Sequence, residues 1–180
     1  MHKILLLAAV MTLTALSVAL PAAAQAAPGK GLAAPAGACA GADSSNGAPA
    51  TQVRAMKCLV NAARRGSGLR QLASNGKLRR AASLKGQRIE ACGTFSHTPC
   101  GAPFTAAFRA AGWRGTMGEN IAFGQAAQGT PRAILNAWLQ SPGHRANLLN
   151  PSFRLHGLAV RSATLPGVGT VRLWVHAFGA

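Results

Sequence analysis

The sequence predicts an α+β domain in which helices come first and an antiparallel hairpin comes last. Apolar residues recur at helical spacing over about residues 51–65 and again over about 75–91. Residues 155–178 instead hold two strand-like runs joined by a Pro-Gly turn at Pro166-Gly167. The 180 residues suffice for one domain and are too few for two full ones. Helices followed by a hairpin imply helices packed on a small sheet.

The N-terminus is set apart from that domain. Lys3 supplies a positive charge, Ile4 to Leu20 is almost entirely apolar, and Ala24-Gln25-Ala26 has the small-x-small form of a cleavage site. Residues 1–26 therefore read as a secretory signal peptide. An apolar run of this length could also anchor in a bilayer, but Pro21 and the Ala-rich end favour cleavage. No later segment is apolar enough to span, so the mature chain is expected to be secreted and extracellular, with no transmembrane span. Residues 27–50 are Ala, Gly, Pro and Ser without periodicity, which predicts a flexible linker or a loosely attached arm, tied to the domain at its far end by Cys39. The folded domain is expected over 51–180.

Within it, Val53, Met56, Cys58, Leu59, Val60 and Ala63 form one helical face between Thr51 and Arg65, and Gly66 ends it. A short link over residues 68–72 leads to a second helix, which Ser74 or Asn75 can cap and which runs to about Ala91. Leu78, Ala81, Ala82, Leu84 and Ile89 supply its buried stripe. Pro103 to Ala110 reads as a short helix, with Pro at its start and Gly112 past its end. Thr130-Pro131 opens another, with Ile134, Leu135, Trp138 and Leu139 on one face, and Ser141-Pro142-Gly143 stops it. Residues 155–160 and 171–178 are the strands. Trp113, Trp138 and Trp174 are most simply core aromatics.

Composition narrows the function classes. Nineteen Lys and Arg face three Asp and Glu, a net charge of +16. Such a chain is attracted to anionic cell-envelope polymers or lipids. The cations are dispersed, Tyr is absent, and no aromatic platform or nucleic-acid module is visible, so specific nucleic-acid binding is not expected. The even cysteine count, Cys39, Cys58, Cys92 and Cys100, favours disulfides in an exported chain. Three pairings are open, of which Cys39–Cys58 and Cys92–Cys100 are favoured. The second would close a short loop around residues 95–98, a contribution of roughly 2–3 kcal/mol. A four-cysteine metal site is the alternative, but there is no Cys-x-x-Cys pair.

Three stretches stand out as carriers of chemistry: Phe95-Ser96-His97-Thr98, Gly118-Glu119-Asn120-Ile121-Ala122, and residues 141–149 with Ser141 and His144. Glu119 is one of only three acids, and beside imidazoles it could serve as metal ligand or general base. Alone, it could equally fix a loop backbone, and each histidine alone could be a surface or capping group. Asn120 and Asn147 read as backbone-binding supports. Arg145 could meet an anionic ligand, pair with Glu119 or serve a helix end. His156 is expected at the surface.

Taken in order, these stretches resemble the CAP superfamily of cysteine-rich secretory, antigen 5 and pathogenesis-related proteins, in its secreted bacterial branch. The likeness runs from about Val53 to Gly179. It rests on Leu59-Val60-Asn61-Ala62-Ala63-Arg64, the 68–72 link, Leu78-x-x-Ala81-Ala82, the three stretches above, Trp138-x-x-Ser141-Pro142-Gly143-His144-Arg145 and Leu173-Trp174-x-x-x-Phe178-Gly179. The resemblance implies an α-β-α sandwich, a small antiparallel sheet between helices, with a cleft lined by two histidines and two acids. His97 and His144 match the histidines and Glu119 the first acid. Ser141 stands where many relatives carry the second acid, which weakens any hold on a divalent cation such as zinc. His176 stands where bacterial relatives usually carry Gln, and it either lines the cleft or faces water.

Two functions follow from the resemblance and the charge. One is a non-enzymatic binding or envelope-associated module whose cleft, with His97, Glu119, His144, Ser141 and His176, takes a small ligand, hydrophobic ones included, or a weakly held cation. The alternative is a hydrolase acting on cell-wall, ester or peptide substrates, metal-assisted through His97, Glu119 and His144. A serine variant of it would use Ser141 or Ser96 with a histidine. A third reading makes the chain a cationic extracellular factor with an idle cleft.

Overall fold

Pro49 at the first turn of α1 (Pro49–Gly66) has its torsion pre-set for a helix and lacks a donor that would go unpaired there anyway. The computed structural model describes residues 31–180; the signal peptide expected over 1–26 lies outside them. Helix α2 (Gly76–Cys92) is capped by Asn75, whose side chain accepts from the N–H groups of Lys77 and Leu78, and Gly93 in the left-handed region ends it. Replacing Asn75 by Ala should cost about 1 kcal/mol, read as a lower urea midpoint at unchanged slope. The third helix, α3, is shorter than predicted (Ala106–Ala110), and α4 (Pro131–Gln140) is capped by Thr130.

Ser141 stops α4 as expected, yet Pro142 at once starts another helix, α5 (Pro142–Leu148). Two further elements escaped the sequence pattern. β1 (Ala73–Ser74) is too short to show alternation, and β2 (Met117–Gly124) breaks it because Glu119 and Asn120 are both buried. The hairpin strands β3 (Leu155–Leu165) and β4 (Gly169–Gly179) run longer than expected. The sheet order is β1-β3-β4-β2. Its three long strands are antiparallel, and β1 joins β3 in parallel through only two residue pairs.

Strand alternation divides the core in two. On one face Leu158, Trp174 and Phe178 meet α1 and α4 through Met56, Leu59, Leu135 and Trp138. On the other, Ile121, Leu173 and Val175 meet Leu78, Ala82 and Ile89 of α2, with Phe108 and Trp113 beside them. All three tryptophans are core residues, as predicted. The result is the expected helix–sheet–helix sandwich. Among the described residues no helix is long and apolar enough to cross a membrane.

Both favoured disulfides, Cys39–Cys58 and Cys92–Cys100, are present. The first corrects the flexible-linker expectation for its described part. Residues 31–48 form no helix or strand, but Ala34, Cys39 and Ala42 are buried in the core. Arg132 of α4 holds the same stretch, pairing with Asp43 at 2.7 Å and donating to the carbonyls of Ala34 and Pro35. A composition that cannot form its own core can still be gathered onto one by a disulfide and a cation. Arg64 works likewise inside the domain: fully buried, it donates to the carbonyls of Arg70, Leu148, Asn150 and Phe153, joining α1 to the start of β3.

Candidate functional site

The candidate residues lie around the outer edge of β2, beyond which no strand pairs among the described residues. Helix α5 covers part of that edge. Asn147 donates to the Glu119 carbonyl at 3.1 Å and to Asn120 Oδ1 at 3.0 Å, while Asn120 donates to the His144 carbonyl at 2.9 Å. The two asparagines thus play the supporting part expected of them: Asn147 satisfies the edge carbonyl of Glu119, and Asn120 ties the α5 backbone to β2. Gly118 leaves room for the segment after α5: a Cβ there would lie 2.6 Å from the Phe153 ring.

Glu119 sits at the base, on the face that looks toward α2. Its carboxylate is buried, and Oε1 lies 2.8 Å from His97 Nδ1. His97 itself stands half out in solvent, at 46% side-chain exposure, on the loop that Cys92–Cys100 closes. The same oxygen meets a residue that sequence reasoning did not single out. Lys85 Nζ lies 3.3 Å away with its side chain only 2% exposed. That ammonium also donates to the His97 carbonyl and lies 5.4 Å from the centre of the Phe104 ring. The signal was available: Lys85 falls on the buried side of α2, one residue past Leu84 and four past Ala81.

His144 belongs to α5. Its Nδ1 lies 2.9 Å from Ser141 Oγ, because the two are three residues apart at the start of one helix. Burial lowers the His144 pKa, and the His97 charge facing it lowers it further, so its ring is neutral at pH 7. The structure therefore joins the four candidate residues as two pairs, His97 with Glu119 and Ser141 with His144.

Two histidine expectations are corrected. His176 neither lines the cleft nor faces water; it is fully buried on the α1/α4 face of β4. His156, expected at the surface, is buried beside it, with Nδ1 3.0 Å from His176 Nε2. Their even positions in β3 and β4 place both on the same inner face, which strand alternation decides and polarity does not.

The fit to a divalent cation such as zinc is poor. Among the described residues no three His, Cys, Asp or Glu side chains are grouped so as to hold one. Lys85 already supplies Glu119 with a positive charge, and His144 turns its Nδ1 to Ser141.

The sequence profile of the cysteine-rich secretory protein family, CAP, matches residues 58–170. The uncharacterized protein YkwD of Bacillus subtilis (strain 168) is 39% identical over 97 residues, which are 53% of this chain and 37% of that protein. The chain thus spans little more than a third of that relative's length. Among solved structures, an extracellular protein containing an SCP domain from Bacillus anthracis matches 73% of this chain and 41% of its own, with TM-score 0.60 and 23% identity. An outer surface protein of Borrelia burgdorferi matches 69% of this chain and 88% of its own, with TM-score 0.56 and 20% identity. At these identities the structures speak for the fold, and both neighbours are extracellular or surface proteins.

Proposed function

Because this chain belongs to the cysteine-rich secretory protein (CAP) family, we propose that it is secreted and serves as a non-enzymatic binding module at the cell envelope. Its cleft offers a small ligand the His97 and His144 rings and the Ser141 hydroxyl. The buried ion pair between Lys85 and Glu119 carries this reading. A carboxylate neutralised from within has little left for a metal ion, and the pair holds the His97 loop in place through the His97 carbonyl. The net charge of +16 supplies attraction to anionic wall polymers or lipid head groups, and two disulfides suit an oxidising exterior.

The mature chain should co-sediment with peptidoglycan carrying teichoic acid at physiological salt, and release should follow as salt rises. Zinc titrated into it by calorimetry should give no saturable heat that the His97→Ala/His144→Ala double variant lacks. Failure to be retained on wall polymers or anionic vesicles would remove the envelope reading. Saturable zinc binding that depends on the two histidines would restore the cation site.

The 2.9 Å contact of Ser141 with His144 supports a second reading, an esterase or amidase in which neutral His144 accepts the Ser141 proton. Among the described residues no carboxylate is bonded to His144 to orient it, which places this reading behind the first. It stands only if hydrolysis of an activated ester by the chain is abolished in Ser141→Ala.

A further inference from the structure

The outer edge of β3 carries an open row of backbone groups. β1 covers only its start, through Ala73↔Leu155 and Ser74↔His156, after which the chain turns away into α2. The N–H groups of Ala73 and Asn75 reach the carbonyls of Arg154 and His156, so even-numbered residues of β3 face outward. The β3–β4 register is unbroken from Leu155 to Leu165, which keeps that parity along the strand. Leu158 and Val160 therefore turn both N–H and C=O to the edge, and among the described residues no strand pairs with them.

A groove of about 720 Å³ runs beside this edge, between the first turns of α1 and of α2. Leu158, Ala159, Val160 and Val53 give it an apolar floor. Arg54 and Lys57 from α1 and Arg79 and Arg80 from α2 line it, with no acidic residue among its walls. None of the four forms an ion pair among the described residues. The helix is held close to the strand at one end, where Gly157 admits it: a Cβ there would lie 2.0 Å from the Arg79 nitrogen.

We propose that this groove receives an extended acidic segment of a partner protein, which adds to β3 as a fifth strand. The free ladder groups call for a peptide backbone, since neither a polyphosphate nor a lipid head group presents alternating N–H and C=O at strand spacing. The cations set the side chains. Successive residues of a strand point to opposite faces, so one acidic set meets Arg54 and Lys57 while the other meets Arg79 and Arg80. A run of Asp and Glu fits this better than an alternating pattern. A second copy of this chain is excluded as the occupant by repulsion between two identical cationic grooves.

The test uses the whole mature chain and a fluorescent peptide of about eight residues, rich in Glu and spanning most of the open edge at ~3.3 Å per residue. A second peptide of the same sequence is N-methylated at alternate amides, which removes backbone donors and leaves every charge. The expected result is saturable binding of the first peptide and at least about tenfold weaker binding of the second. Hydrogen exchange should slow at the Leu158 and Val160 amides when the first peptide is bound. The Arg79→Glu/Arg80→Glu variant changes exposed residues only, and it should weaken binding by about tenfold or more with its circular dichroism unchanged. Equal affinity for both peptides, or unchanged exchange at Leu158 and Val160, would show a groove that merely attracts polyanions and would overturn the proposal. Absence of binding would overturn it too.

Discussion

Replacing Lys85 by Met should destabilise the domain by about 3–5 kcal/mol, the range for breaking a buried ion pair from one side. The ammonium and Glu119 lie 3.3 Å apart, and both side chains are almost wholly buried. Removing the cation leaves the carboxylate with His97 for company, and that ring is half exposed. It also frees the His97 carbonyl, so the loop closed by Cys92–Cys100 loses an anchor as well. The Lys85→Met/Glu119→Gln double variant should recover most of the loss, because a neutral pair no longer carries an uncompensated charge. Urea unfolding of the parent, both single variants and the double variant completes the cycle. A Lys85→Met variant within 1 kcal/mol of the parent would mean that solvent reaches Glu119 and that the cleft lacks its internal counter-charge.

Acidification should unfold the protein from the inside, through His156 and His176. Burial lowers the His156 pKa to about 4, with the charges of Lys57 and Arg64 adding to it. Burial also holds His176 well below its ordinary value, with His156 and Arg64 adding to that. His176 Nδ1 is buried without a partner, whereas Nε2 faces His156 Nδ1. The cheaper arrangement has His176 Nε2–H donating to His156 Nδ1, since an unpaired lone pair costs less to bury than an unpaired N–H. Neither ring then accepts a further proton without placing a charge among Trp138, Phe178 and Arg64.

The sign follows from which state binds protons. In the unfolded chain both rings titrate near 6.5, so below that pH the unfolded state takes up protons that the folded state refuses. The stability these groups provide is complete above about pH 6.5 and falls as pH drops toward 4. Each ring contributes up to about 1.4 kcal/mol per pH unit, and His156 alone roughly 3 kcal/mol across the window. Urea midpoints between pH 7.5 and 4.5 should show this slope, and a His156→Gln/His176→Gln variant should flatten it. A parent slope no steeper than that of the double variant would show that the rings already carry charge in the native state.

Much of this was legible in the residues. The stripes of α1, α2 and α4 follow from helical periodicity, because one face of each is buried for its whole length. The terminal strands announced themselves by β-branched and aromatic runs around a Pro-Gly turn. His97, Glu119 and His144 could be named because they fall in short stretches with a resemblance to a known family, and the structure pairs His97 with Glu119 and His144 with Ser141. Ser141 was legible as a departure from that family, although its bond to His144 depends on a helix, α5, that starts at Pro142, where the sequence marked only the end of α4.

Tertiary structure alone decided the rest. Lys85 looks like any solvated lysine until α2 packs on the sheet and brings its ammonium to the Glu119 carboxylate of β2. His156 and His176 lie twenty residues apart and meet only through β3–β4 register, which polarity along either strand does not encode. The open edge of β3 exists because β1 stops after two residues, and strand pairing is a property of the sheet and not of either segment. Periodicity records what each element buries on average. Charge pairing, ring contacts and unpaired edges depend on which single residues face each other across elements, and those partners are chosen only when the layers close.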